Sequence, residues 1–379
     1  MERESIFIPG TVQIIKWERG ESILNYEMLL EQNPFDVDQR TKEWWYLEML
    51  TKLTNHHKKY CREYEKLCDT FRYPMAFSSL EQIPMLPVGV FKKQELRSVC
   101  EEEVFKTITS SGTTGQQVSK IFLDKENAAN QQKTLAKIMG EVFGNHRVPM
   151  IILDSPKVFK DRDMFSARGA GILGFSIMSS KRQFALDENM KVDFKGIQTF
   201  LETYSEGPVL VFGFTYMIWE YFYKKLKEIG KKVSLERGIL IHGGGWKKMQ
   251  KQAVSKEDYK KGIREVSGIR EVYDYYGMAE QTGCIYLECP CGHLHASVFS
   301  DVLIRDMRDF SLCSLGEEGV IQVLSPAATS YPGHSILTED RGILLGIDDC
   351  PCGRKGKYFK VTGRISHAEV RGCSDTYGL

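Results

Sequence analysis

The chain has 379 residues, 42% hydrophobic and 27% charged, enough to bury a large core in two or three structural units. Its 51 basic and 50 acidic side chains leave a formal charge of +1, so electrostatics favours neither nucleic acid nor an anionic membrane as the main partner and a small molecule is the default. The opening MERESIFIPG is too polar for a secretory signal and no run of about 18 apolar residues follows, which predicts a cytoplasmic protein with no membrane span. Ten cysteines in that compartment point to thiols, metal ligands or nucleophiles rather than a disulfide framework.

Apolar and aromatic residues between about 38 and 70 recur at helical spacing with Lys and Glu between them, predicting one or two amphipathic helices. His56 and His57 fall in this charged stretch and are expected to be solvated. Pro84 and Pro87 break the segment 83–96, which reads as an extended connector, and a boundary is placed near residue 100. Residues 1–100 are thus expected to form a helical region packed on a body of residues 101–363, with a short tail over 364–379.

From residue 148 apolar β-rich runs (148–154, 208–214, 238–245, 270–277 and 319–325) alternate with helical stretches, predicting an α/β fold with a largely buried sheet. The stripe Tyr216, Met217, Trp219, Tyr221 and Phe222 reads mainly as core, and His242 as a histidine satisfied within the structure.

The segment Thr107-Ile-Thr-Ser110-Ser111-Gly112-Thr113-Thr114-Gly115 combines glycines, which let a backbone approach a ligand closely, with hydroxyls and amides that can donate to phosphate oxygens. It is built as a phosphate cradle but is not a Walker A loop, because Gln116 and Gln117 follow Gly115 where Lys-Ser/Thr is required.

This loop resembles the phosphate-binding signature of the adenylate-forming superfamily, which includes acyl-CoA ligases, firefly luciferase and peptide-synthetase adenylation domains. Three further segments resemble its signatures in the same chain order. Tyr275-Tyr276-Gly277-Met278-Ala279-Glu280 resembles Tyr-Gly-x-Thr-Glu, implying an aromatic ring against adenine and Glu280 on magnesium. Thr338-Glu339-Asp340 resembles the signature whose aspartate binds the ribose, and Gly363-Arg364 the hinge whose arginine contacts the nucleotide. Ala279 stands where most members carry a threonine, and Thr282 is the neighbour that could replace its hydroxyl.

Closer resemblance is to the acyl-protein synthetases of bacterial fatty-acid reductase systems, LuxE. It rests on Val88-Gly-Val-Phe91-Lys92, Gly213-Phe-Thr-Tyr216, Gly243-Gly244-Gly245-Trp246-Lys247, Thr329-Ser-Tyr-Pro332 and Gly372-Cys373, besides the loop. The resemblance implies an adenylate-forming α/β body of mixed sheets and flanking helices without the full C-terminal lid, since 15 residues follow Arg364. It also implies ATP and magnesium as cofactors, a fatty acid as substrate, Cys373 as the thiol that takes the acyl group, and an acyl reductase as partner. Positive charge from Arg371 beside Cys373 would favour its thiolate. Other readings are an acyl- or aryl-CoA ligase of the phenylacetate-CoA ligase type, and a nucleotide-binding subunit that has lost its chemistry.

Cys289-Pro-Cys291-Gly-His293-Leu-His295 and Cys350-Pro-Cys352-Gly353 form a doubled knuckle that suits structural zinc, with four protein ligands and no open position. Cys289, Cys291, Cys350 and Cys352 would serve; resemblance to phenylacetate-CoA ligases implies Cys289, His295, Cys350 and Cys352 instead. The clamp is expected beside the hinge.

Overall fold

The computed structural model describes residues 25–110, 118–160, 167–246 and 251–365, with a pair of two-residue strands at Ser5–Ile6 and Ile14–Ile15. Five parallel strands make one side of a twelve-stranded sheet, in spatial order Ser179–Phe184, Val148–Ile152, Val209–Phe214, Gly238–Gly243 and Glu271–Tyr276. Val209–Phe214 and Gly238–Gly243 are buried at every residue. Their unbroken apolar sequences suit strands covered on both faces.

Beyond Glu271–Tyr276 the sheet turns antiparallel, through Tyr286–Glu288, Leu294–His295, Lys357–Arg364, Ser335–Ile347, Glu318–Leu324 and Asp301–Arg305. A separate hairpin, Lys106–Thr109 with Lys120–Leu123, brings the ends of the glycine and threonine loop together. The segment 83–96 is more structured than an extended connector. Leu86–Pro87 adds a short parallel strand to Ser335–Ile347, and Val90–Lys93 makes one helical turn. Pro87 fits at a strand pair of only two residues, where its missing N–H costs little.

Two helices occupy the first patterned stretch. Gln39–Tyr60 begins at Asp38, whose carboxylate accepts the Thr41 N–H, and Arg62–Thr70 follows directly. Trp45, Tyr46 and Leu50 lie in one hydrophobic cluster with Phe212, Ile241 and Leu287 of the sheet. Each such fully buried side chain contributes roughly 1.5–3 kcal/mol. His57 is not solvated. It is fully buried, stacked on His334 at 5.0 Å between ring centres, with its ring nitrogens 2.8 Å from Ser98 Oγ and 2.9 Å from the Ala328 carbonyl. Charge in the surrounding sequence hid the inward face on which His57 sits.

The helical layer is seated on the sheet by a buried charge cluster. Lys42 and Lys357 flank Asp301 at 3.6 and 3.1 Å, Gln39 Nε2 donates to Asp301 at 2.9 Å, and Lys42 also donates to the Ser297 and Ser300 carbonyls. Burial alone would favour a neutral Asp301, but the two ammonium groups hold its carboxyl below the ordinary value. Asp301→Ala removes the fully buried anion between the two ammonium groups and leaves both cations buried, with the half-exposed Glu43 still 3.5 Å from Lys357. We expect a loss of about 3–5 kcal/mol in the unfolding free energy from urea titration, against a change within about 0.5 kcal/mol for an exposed carboxylate such as Glu206.

Candidate active site

The C-terminal ends of parallel strands in an open α/β sheet are where ligands bind. Here those ends carry Thr215, Gly243 and Gly277. Gly243 has no room for a side chain, because an added Cβ would lie 2.7 Å from the Tyr275 ring. Gly244 and Gly245 follow with φ of 81° and 60°, a backbone that L side chains resist, and both are exposed. Trp246 anchors this turn, packing edge-on to Trp219 at 5.7 Å and to Tyr259 at 6.1 Å.

His242, under the turn, is buried, with Nδ1 2.9 Å from Thr215 Oγ1. Burial pushes its pKa down to about 3 and so keeps it neutral, in accord with the structural role expected of it.

Alternation along Glu271–Tyr276 separates the two tyrosines. Tyr275 packs on Phe175 and Phe212. Tyr276 faces the opposite side of the sheet, where its hydroxyl donates to Asp340 Oδ2 at 2.8 Å. Asp340 Oδ1 in turn lies 3.2 Å from Arg364 Nε, and Arg364 Nη2 lies 3.0 Å from Glu339. Three segments separated by up to 88 positions in the chain thus converge on one half-buried polar cluster.

Glu280 is buried in the short turn Ala279–Gln281, just past Tyr276. That turn is fixed from behind: the Tyr331 hydroxyl donates to the Glu280 carbonyl at 2.8 Å, and Gln281 Nε2 donates to the Gly333 carbonyl at 2.9 Å. The Thr282 hydroxyl donates to the Ala279 carbonyl at 2.6 Å, so its proton closes the turn. The hydroxyl missing at Ala279 is therefore not replaced from Thr282 in this geometry.

The hairpin that carries the loop is held against the same support. The Ser330 hydroxyl donates to the Phe122 carbonyl at 2.9 Å, and Ile108 and Ile121 pack in the cluster that Tyr276, Met278 and Ala279 touch. Thr107 is exposed on the first strand of the hairpin, while Ser110 is buried at its end, where its hydroxyl accepts the Ser119 N–H at 2.9 Å. Ser111, Gly112, Thr113, Thr114, Gly115, Lys247 and Cys373 lie outside the described residues.

The doubled knuckle brings four of its five candidates together. Ligand atoms of Cys289, His295, Cys350 and Cys352 all lie within 4.8 Å of one another, whereas Cys291 is exposed. Tetrahedral zinc, with bonds of about 2.3 Å to sulfur and about 2.0 Å to nitrogen, requires S···S near 3.8 Å and S···N near 3.5 Å. Cys289 and Cys350 sulfurs are 4.0 Å apart, and Cys352 Sγ is 3.5 Å from His295 Nε2. Burial, with Arg354 nearby, lowers the His295 pKa to about 3 and leaves it neutral, as a ligand must be. The donor set fits zinc. Its place differs from the expected one: the knuckles sit at the Ile347/Lys357 end of the hairpin, about 23 Å of strand from Arg364.

Sequence reading missed the supports. Tyr331, Gln281, Ser330, His57 and His334 act through partners 41 to 280 positions away, a separation at which residue spacing carries no signal. The stretch Thr329-Ser-Tyr-Pro332 stood out by resemblance alone.

The family described as "Acyl-protein synthetase, LuxE" matches residues 20–378. The long-chain-fatty-acid--luciferin-component ligase of Aliivibrio fischeri is 24% identical over 326 residues, covering 82% of each chain. That of Vibrio harveyi is 21% identical over 358 residues, covering 88% of this chain and 89% of its own. Among solved structures, 2-hydroxyisobutyryl-CoA ligase in complex with 2-HIB-AMP and CoA superposes with a TM-score of 0.67 at 15% identity, over 96% of this chain and 76% of that one. The same ligase in the postadenylation state, with 2-HIB-AMP, gives 0.66 over 88% of this chain and 70% of that one, at 15% identity.

Burial pushes His334 down to about 3 and His57 well below the ordinary imidazole value. In the unfolded chain both protonate near pH 6.5. Their contribution to stability is thus complete above about pH 6.5 and is lost as pH falls toward 3. We expect the urea midpoint to drop steadily from pH 7 to pH 5, with a shallower drop in His334→Gln.

Proposed function

The chain belongs to the acyl-protein synthetase (LuxE) family and is a ligase that activates an acid; from that premise we propose that it joins a long-chain fatty acid to AMP and then takes the acyl group onto Cys373. The observation that carries this reading is the convergence of Tyr276, Asp340 and Arg364 at the end of the strand that pairs with the one ending at Gly243.

In the first step a carboxylate oxygen attacks the α-phosphorus of ATP, the bond to the bridging oxygen breaks, and pyrophosphate leaves with the electron pair. The exposed Gly244–Gly245 backbone and the Tyr276 ring receive the adenine, and Asp340 accepts hydrogen bonds from the ribose hydroxyls. Amides and hydroxyls from Thr107 to Gly115, with Arg364, meet the phosphate charge. Magnesium would be held by Glu280 and would neutralise the charge that builds on the phosphates.

In the second step the Cys373 thiolate adds to the acyl carbonyl carbon and AMP departs, leaving a thioester on the enzyme. That thioester is an activated acyl group suited to an acyl reductase that makes the aldehyde. The charge cluster favours order in the first step: the Tyr276 hydroxyl and the Arg364 guanidinium fix the two carboxylate oxygens of Asp340 before any ribose arrives. Zinc at Cys289, His295, Cys350 and Cys352 has no open position and holds structure only.

Intact-mass measurement after incubation with Mg-ATP and a panel of fatty acids tests the proposal. We expect a mass gain of one acyl group that hydroxylamine removes and that Cys373→Ser abolishes. A gain that persists in Cys373→Ser removes that residue from the role, and acyl-CoA formed with no protein-bound acyl group makes the enzyme a CoA ligase.

The zinc assignment has its own check. Asp348, just before the second knuckle, accepts the Gln39 N–H with both oxygens, and the Lys355 N–H donates to the Phe35 carbonyl. We expect about one zinc per chain by elemental analysis, kept in Cys291→Ser and lost in Cys352→Ser. Loss of the metal should speed hydrogen exchange at residues 34–42, which rest on that knuckle.

A further inference from the structure

The helix Lys125–Phe143 begins next to the loop hairpin and ends far from it, at Gly144, whose φ of 72° turns the chain back. That turn sets His146 and Arg147 near Lys133 and Lys137, which stand one turn apart on the same helical face. The four surround a cavity of about 460 Å³, within the roughly 300–1,000 Å³ range of small-molecule sites. Leu30, Ala136 and Ile177 line its floor and pack against the hydrophobic cluster that contains Phe175 and Phe212.

Two properties of this cavity select its occupant. Its lining is apolar at the floor and cationic at the rim, and no acidic side chain lines it. None of the three cationic side chains, Lys133, Lys137 and Arg147, forms an ion pair among the described residues, although exposed lysines elsewhere, such as Lys52, Lys225 and Lys227, do. Like charges one helical turn apart repel, so an anion bound between them gains from all of them. An apolar floor under such a rim adds the burial of a hydrocarbon chain at roughly 0.8 kcal/mol per CH₂.

We propose that this groove is a second binding site, away from the nucleotide cluster, for a long-chain carboxylate, with the head group at Lys133, Lys137 and Arg147 and the chain along Leu30, Ala136 and Ile177. The choice of a carboxylate among amphipathic anions rests on the function proposed above; the existence of the site does not. Its consequence is that acid gathers on the enzyme without ATP, which concentrates a sparingly soluble substrate at the surface of the protein that consumes it.

Equilibrium binding of cis-parinarate, a fluorescent long-chain acid, to the full chain without ATP tests this directly. Lys133→Glu combined with Lys137→Glu reverses the rim, and Ala136→Trp fills the floor while keeping the charges. We expect binding in the wild type that weakens at least tenfold in each variant and that the corresponding alcohol, lacking the carboxylate, does not reproduce. Unchanged affinity in both variants overturns the site, and so does binding of the alcohol as tight as that of the acid. If anionic phospholipid vesicles bind in a rim-dependent manner while monomeric cis-parinarate does not, the groove meets a lipid surface and the proposal falls. Adenylate formation from a short soluble acid, trapped as its hydroxamate, reads the other site independently: it should be equal in wild type and variants. Its absence from all three would count against the proposed function and not against the groove.

Discussion

The cluster of Tyr276, Asp340 and Arg364 depends on the register between Ser335–Ile347 and Lys357–Arg364, which sets Asp340 directly across from Arg364. Side chains alternate along a strand, so a slip of one residue would send Asp340 to the other face, away from Tyr276. The pairing is irregular at Arg341 and Gly342, where a bulge re-aims the end of the hairpin. Gly342 makes that possible: a Cβ there would sit 2.7 Å from the Lys360 carbonyl and 2.8 Å from Ile321. The pairing with Glu318–Leu324 is irregular as well, between Val320 and Gln322, and there the Thr338 hydroxyl donates to the Ile321 carbonyl while it accepts the Asp340 N–H.

That hairpin carries the two functional elements at its opposite ends. Asp340 and Arg364 lie at one end, and the Cys350 and Cys352 knuckle lies at the other, under the start of the helix Gln39–Tyr60. Between them the N-terminal helical layer is joined to the sheet by Asp301, Lys42 and Lys357, and to the support of Glu280 by His57 stacked on His334. Because Tyr331 and Gly333, which hold the Glu280 turn, belong to the same buried segment as His334, packing of the helical layer reaches the site without touching it.

The legible part of this protein was what local chemistry encodes. The apolar runs 208–214 and 238–245 gave strands because only a doubly covered strand tolerates them, and of the glycines at 243–245 the Tyr275 ring explains Gly243, where a Cβ has no room. Paired Cys-Pro-Cys-Gly turns pointed to a cluster of soft ligands, and composition could not choose His295 over Cys291; the fold gathers His295 with Cys289, Cys350 and Cys352 and leaves Cys291 exposed. Less legible were groups whose role depends on distant partners. His57 sits among charged residues in sequence and in the core in space, and Thr282 looked available for phosphate until its proton was found on the Ala279 carbonyl. Asp154 and Arg168 form a wholly buried ion pair at 3.0 Å that no motif announced, with the carboxyl raised to about 6 by burial in spite of the guanidinium.

In the function proposed above, Tyr276, Asp340 and Arg364 form the seat of an adenylate made from a carboxylic acid. Acid-dependent exchange of labelled pyrophosphate into ATP measures that step without regard to which thiol follows. We expect exchange that requires both magnesium and a long-chain acid, and that falls at least a hundredfold in Asp340→Ala while folding, read by circular dichroism, is kept. Exchange that is independent of the acid, or undiminished in a folded Asp340→Ala, would contradict it.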